Sequence, residues 1–462
     1  MKAPLPPIVQ YGSVSRVQGP MVELDGVGGV GWDEEATVRT DAGQLRHGVV
    51  LEVSDETALV QVYEGTDGLR PGGFRVAFEG APMRIPVGEG WLGRVCNGRG
   101  VPIDGGPAVR GRQWRSVAGE PLNPARRMAP ADPIITGISA IDGLATLVRG
   151  QKLPIFSVGG LPHLELAAQI AAQAKVAEER FSVVFAAMGV THPDAEMIGD
   201  VLETRAAEGD LALFINLADD PVVERILTPR LALTVAEHLA FDLDHHVLVV
   251  MADMTSYAEA VREAGSARGE LPGRRGFPGY LYSDLSSLYE RCGRLQGRRG
   301  SITQLPVLTM PAGDITHPVP DLTGYITEGQ LVLSADVLAR GVYPPFDPLA
   351  SLSRLMRHGA GPGRTRDDHL ALANQLYAAL AHARQSQELA ELIGADALSQ
   401  TDRDYLLFAQ GFDRELIQQG SDEFRDIDQT LDRGWHLLSG LPRRELVMLP
   451  AEMIAQHLGA GR

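Results

Sequence analysis

Gln151-Lys152-Leu153-Pro154-Ile155-Phe156-Ser157-Val158-Gly159-Gly160-Leu161-Pro162-His163-Leu164 is the stretch whose reading decides the fold. Leu153 to Ser157 predicts a short buried strand, and Leu161 to Val176 an alanine-rich helix. Ser157 to Leu164 therefore sits at a strand-to-helix turn, the place where an α/β domain holds a nucleotide's phosphates. A working phosphate loop there is glycine-rich and ends in Lys followed by Ser or Thr. The ammonium neutralises the β and γ phosphates, and the hydroxyl ligates Mg²⁺. Here Pro162, His163 and Leu164 fill those places. Backbone amides and the helix dipole still favour an anion at the helix start, but the point charge and the metal ligand are absent. The stretch reads as a nucleotide-binding domain that has lost its own chemistry.

Around this turn, strand and helix patterns alternate. Buried strands are predicted at Val183 to Met188, Leu211 to Leu217, His246 to Ala252 and Ser301 to Thr309, with helices such as Pro229 to Phe241 and Ser256 to Ala267 between them. That grammar implies a mostly parallel sheet with ligands at the carboxyl ends of its strands. Towards the N-terminus the pattern changes to period 2. Gly48 to Val53 and Ala58 to Glu64 flank Ser54-Asp55-Glu56-Thr57 as a hairpin, and further short runs at Val14 to Val17 and Met21 to Leu24 predict a small β-barrel. Past about Pro348 strands disappear, and Asp367 to Ile393, Gln400 to Gln410 and Asp426 to Leu438 predict helices. The chain divides into a β-barrel domain at 1–75, an α/β nucleotide-binding domain with a degenerate phosphate loop at 76–350, and a C-terminal α-helical domain at 351–462.

Bulk properties limit the function. The 462 residues are enough for about three domains, and 22% charged residues is ordinary for a globular protein. A net charge of −17 argues against nucleic acid as a partner. Cys96 and Cys292 lack metal-type spacing and cannot build a disulfide framework, which suits a reducing cytosol. The absence of any apolar run of membrane-spanning length and of an apolar N-terminal signal core predicts a cytoplasmic protein.

Several side chains carry two readings each. Asp253 closes an apolar strand, where a carboxylate either helps hold Mg²⁺, usually through water, or caps the helix that follows. Glu196 reads as a solvated helix face or a first-turn dipole partner. Gly26 to Gly31 resembles a dinucleotide fingerprint without the strand-helix context that chemistry needs. Gly273 to Gly279 is a basic loop suited to an acidic partner, Arg298-Arg299 a solvated turn, and His245-His246 a pair opening a strand. Arg354, in Ser351-Leu352-Ser353-Arg354-Leu355-Met356, is an arginine in an apolar stretch at a domain edge. It must find an anion, emerge at an interface or form a structural salt bridge.

Taken together, these segments resemble the B subunit of V-type rotary ATPases, the vacuolar and archaeal kind also found in some bacteria. The resemblance runs nearly end to end. Its longest strings are Gly159 to Ile170, Phe185 to Gly189, Pro272 to Tyr282, Gly300 to Gln304, His317 to Gln330 and Ser351 to Met356. Leu164 stands where that family commonly has a polar residue, and Ala350 where it usually has proline. The resemblance implies a RecA-like central domain and a ring of three catalytic A and three noncatalytic B subunits around a central rotor stalk. It further implies a peripheral stalk, a membrane sector moving H⁺ or Na⁺, and a location peripheral to the membrane. ATP or ADP then lies at the A–B interface with Mg²⁺ held mainly by the partner, and Arg354 reaches into the neighbouring A subunit's site. Gly159, Gly160, His163 and Asp253 are the other candidate nucleotide contacts, and no residue is assigned as a metal ligand. Rival classes are an independent catalytic hexameric motor, which needs a usable phosphate loop, and a structural ring spacer that binds no nucleotide.

Overall fold

The computed structural model describes residues 9–177 and 179–459. Seven N-terminal strands form one antiparallel sheet, with Gln10–Tyr11 at one edge and Val14–Gln18 at the other. Only Gly12 and Ser13 separate these two edges in sequence, and a chain spans at most about 3.6 Å per residue. The edges must therefore lie side by side, and the sheet curls into a barrel around Val22, Leu24, Val38, Val60, Phe74 and Val76. Leu45–Ser54 and Thr57–Val62 form the expected hairpin through Asp55 and Glu56. Gly26 to Gly31 is the loop between the barrel strands Met21–Asp25 and Glu34–Thr40. The last barrel strand, Phe74–Pro82, runs past residue 75, because its pairing with Glu34–Thr40 continues to Pro82.

The barrel is clamped to the central domain. Val49, Leu51 and Tyr63 pack with Val223, and Arg99 pairs with Glu64 of the barrel while its Nε lies 3.2 Å from Glu224. Glu64 also accepts from the His47 amide (2.7 Å) and meets the His47 ring at 3.0 Å. Burial is the largest single influence on the Glu64 carboxyl and pushes it up, yet the hydrogen bonds from His47 and Arg99 together outweigh it and bring it down to about 2. The bond to Glu64 raises the His47 imidazole. A depressed carboxyl stabilises the fold above its ordinary value of 4.5 and loses that contribution as pH falls towards about 2. A raised imidazole stabilises fully below 6.5 and loses its contribution as pH rises through the folded-state value. The clamp is thus strongest between about pH 4.5 and 6.5. Wild type should melt above His47→Ala by its widest margin in that window, and a margin that does not vary with pH would contradict the assignment.

The central sheet runs, edge to edge, Leu352–Ser353, Gly329–Val332, Ile155–Ser157, Ser301–Thr309, His246–Ala252, Phe181–Val190, Leu211–Leu217 and Arg94–Asn97. From Gly329–Val332 to Arg94–Asn97 every neighbouring pair is parallel. Its strands are apolar on both faces: Phe185, Ala187, Leu248 and Val250 enter one core, and Val184, Ala186, Val247 and Val249 the other. From Ile155–Ser157 the chain skips two positions to Phe181–Val190, so a crevice opens at the carboxyl ends there.

Two expectations need correcting. The helix predicted from Pro229 begins at Val222 and runs to Leu243 with Pro229 inside it, because Val223 packs on the barrel and holds the first turns. Strands also do not end at Pro348, since Leu352–Ser353 pairs antiparallel with Gly329–Val332. Two residues carry no periodicity. Their position depends on Gly329, at φ 139, where an added Cβ would lie 2.1 Å from the Leu352 carbonyl oxygen.

The C-terminal region is helical as expected. His369–Ile393 and Gln400–Gly411 are followed by the wider-wound Phe412–Ile417, then Ile427–Leu438, whose capping residue is Asp426, and Ala451–Leu458. Ile427–Leu438 packs on the short helix Ser139–Leu144, where Thr430 bonds Ser139 at 3.0 Å.

Candidate functional site

A cleft of about 560 Å³ occupies the crevice at the end of Ile155–Ser157, lined by Gly160, Pro162, His163, Gly189, Asp253 and Ser256 among others. Gly160 has φ 86, and added Cβ atoms at Gly159 and Gly160 would meet open space, so the backbone is uncovered here, at Gly160 towards the cleft. The helix that follows is His163–Gln173. The first-turn amides of Leu164 and Glu165 have no intrahelical partner, as at any helix start. This much suits a phosphate. The ring of His163 is committed at Nδ1, which bonds the Leu161 carbonyl at 2.7 Å, and leaves only Nε2 for a ligand. In the neutral ring with its proton on Nδ1, Nε2 is an acceptor that repels phosphate oxygens, and only imidazolium donates from both nitrogens.

Asp253 lies in the same cleft and is the N-cap of Met254–Ala267. Its Oδ1 accepts from the Thr255 amide (2.6 Å) and its Oδ2 from the Thr309 hydroxyl (2.7 Å). Burial pushes its carboxyl up, against the pull of these bonds and of His163. Of the two readings of Asp253, the cap is the one its geometry displays. With both Asp253 oxygens taken by Thr255 and Thr309 and Leu164 in place of a hydroxyl at the loop's end, these residues do not fit Mg²⁺. Thr309, at the end of the neighbouring strand, was not singled out in the sequence although its strand was; a hydroxyl closing an apolar run is the signal that finds it.

Arg354 lies elsewhere. Ser353 pairs with Gly329, which puts Arg354 level with Glu328, while Ser157 is level with Leu333, so the arginine's base is about 16 Å from the start of the phosphate loop along the strands. It stands on the sheet's edge strand, past its last paired residue. Its side chain is exposed, makes one long bond to the Thr327 carbonyl (3.4 Å), and forms no ion pair among the described residues. The structural salt bridge left open by the sequence is therefore absent within this part of the chain. The other basic segments are accounted for locally. Arg274 and Arg275 pair with Asp321 (2.7 Å) and Asp314 (2.6 Å) of their own chain. Arg298, Arg299 and Glu196 are exposed, and His245 and His246 are buried where their strand begins, at the opposite end of the sheet from the cleft.

Residues 14–80 match the ATP synthase alpha/beta family, beta-barrel domain; residues 137–353 match the nucleotide-binding domain of that family; and residues 358–458 match the C-terminal domain of V and A type ATP synthase. Barrel, crevice-bearing sheet and helical C-terminal region thus define a three-domain subunit of the ATP synthase class, built on that family's nucleotide-binding domain. The B subunit of the A-type ATP synthase of Aeropyrum pernix is 54% identical over 450 residues, 97% of each chain. The solved ATP synthase subunit NeqB from Nanoarcheaum equitans superimposes with a TM-score of 0.72 at 37% identity, covering 92% of this chain and 100% of that one. This chain belongs to the B-subunit family of V- and A-type ATP synthases. Among the described residues no helix is long and apolar enough to cross a membrane.

Proposed function

We propose that this chain is the noncatalytic, regulatory member of a rotary ATP synthase or ATPase, alternating with catalytic A subunits in a ring and giving Arg354 to the nucleotide site of its neighbour. The observation that carries this reading is the separation of the two halves of a site. The loop at the cleft has bare amides but neither the lysine nor the terminal hydroxyl of a working phosphate loop, and the one arginine of the Ser-Leu-Ser-Arg string stands exposed at the sheet edge, about 16 Å away along the strands. A guanidinium left without a carboxylate on an edge is free to serve a site completed by another subunit. There it stabilises charge on the transferring γ-phosphoryl group, while the partner supplies the phosphate loop, the Mg²⁺ and the water-orienting acid.

In this reading ATP or ADP lies between the subunits, with Gly159, Gly160, His163 and Asp253 shaping this chain's own degenerate crevice. Through the central and peripheral stalks the ring couples ATP to H⁺ or Na⁺ movement in a membrane sector, from the cytoplasmic side.

Purified alone with ATP and Mg²⁺, the chain should show no turnover approaching the roughly 1 to 100 per second of ordinary phosphoryl-transfer enzymes. Mixed with the catalytic A subunit, it should shift in solution to the mass of an alternating ring. Closed hexamers of this chain alone, indifferent to A, would support the independent-motor reading instead.

A further inference from the structure

Lys152 is a buried lysine in a chain with lysine at only three positions, and its side chain is 4% exposed. Its Nζ lies 3.0 Å from Glu290 Oε1 and 3.0 Å from Glu328 Oε1. Its backbone completes the hold on Glu328. The Lys152 amide donates to Glu328 Oε2 (2.8 Å), and the Glu328 amide donates to the Lys152 carbonyl (3.1 Å). The Glu328 carbonyl, in turn, accepts the Arg354 amide at 3.1 Å, and the preceding carbonyl, of Thr327, takes the only bond that the Arg354 side chain makes among the described residues.

Gln151 grips the same point from the other side. Its Nε2 donates to the Glu328 carbonyl (3.1 Å) and to Ser353 Oγ (3.0 Å), and Ser353 Oγ donates to the Thr146 carbonyl (3.1 Å). The backbone on which Arg354 stands is thus fixed by a buried Gln-Lys pair, while the guanidinium itself meets no carboxylate among the described residues. An arginine meant for a distant anion needs that combination: a rigid base and an unsatisfied head. A displacement near 1 Å at a reacting centre can cost about 10²-fold in rate.

Building on the donated-arginine reading, we propose that Lys152, acting through Glu328, is a positioning residue for Arg354 in the neighbouring subunit's reaction. Neither residue touches nucleotide. Each sets where the guanidinium arrives.

The test is ATP hydrolysis by the assembled ring of this chain with the catalytic A subunit, comparing wild type, Glu328→Gln, Lys152→Met, Arg354→Ala and the double variant Glu328→Gln/Arg354→Ala. Glu328 is partly exposed, so Glu328→Gln keeps the test open if Lys152→Met fails to fold or assemble. The expected result is a fall in kcat of about 10²-fold for Glu328→Gln with KM for ATP unchanged, and no further fall when it is added to Arg354→Ala. Unchanged kcat in Glu328→Gln, or an equal extra loss in the Arg354→Ala background, overturns the positioning role while leaving the donated arginine standing. Near-normal turnover in Arg354→Ala removes the reading beneath it, and the inference with it.

Discussion

Arg354→Ala should lower ATP turnover of the assembled ring by about 10³- to 10⁵-fold, the range that donated arginines contribute in other nucleotide hydrolases. Folding should hardly change. The side chain is exposed, its one bond is 3.4 Å long, and it has no carboxylate partner among the described residues, so its removal leaves no buried charge behind. A surface substitution of that kind stays within about 0.5 kcal/mol. Arg354→Lys should recover little, since an ammonium keeps the charge and loses the planar fork that meets two phosphate oxygens at once. Rate, ring mass and melting temperature measured on one preparation separate this account from a structural role, which predicts a melting temperature that falls with the rate.

The opposite pattern is expected at Arg291, whose side chain is fully buried. Its Nε and Nη2 bind the two oxygens of Glu237 at 2.6 and 2.9 Å, and Nη2 also donates to the Thr234 hydroxyl at 2.9 Å. Nη1 reaches the Val117 carbonyl at 3.3 Å, which ties the segment after the strand Gln113–Ser116 to the helix Val222–Leu243. The fit leaves no slack at Gly119, where an added Cβ would come within 2.3 Å of the guanidinium carbon. Arg291→Met strands the Glu237 carboxylate and should cost about 3–5 kcal/mol of stability, a large share of the roughly 5–15 kcal/mol typical of a folded domain. The loss reads out as a lower denaturant midpoint. Adding Glu237→Leu should return part of it, because the uncompensated charge is then gone; an undiminished loss in the double variant would show that packing around Arg291 dominates instead of its charge.

Three strands, Leu211–Leu217, His246–Ala252 and Ser301–Thr309, were legible to the residue. They are covered on both faces, so their apolar runs are continuous and their ends are marked by turn residues. The strand Leu352–Ser353 was not legible, because a two-residue edge pair is set by the close approach at Gly329 and leaves no periodic trace. Pro229 misled in the same way: proline commonly opens a helix, and only packing against a barrel more than 150 residues earlier in sequence shows that this helix starts at Val222. At the site, the sequence located the phosphate loop and its missing lysine, since both are local. It left Asp253 between cap and metal and Arg354 between interface and salt bridge, because each choice depends on partners distant in sequence: Thr309 for Asp253, and for Arg354 a carboxylate that no described residue supplies. The Lys152–Glu328 pair, 176 residues apart, gave no signal beyond a lysine beside a buried strand.

The proposed donation of Arg354 serves chemistry carried out by a neighbour. Trapping of ADP with aluminium fluoride, a mimic of the transferring phosphoryl group, tests it most directly, since an interaction made in the transition state must appear in the affinity for its mimic. Rings built from the catalytic A subunit and either wild type or Arg354→Ala should bind ADP alone equally well, and only the wild-type ring should hold ADP–aluminium fluoride tightly. Equal trapping by the Arg354→Ala ring would contradict the account.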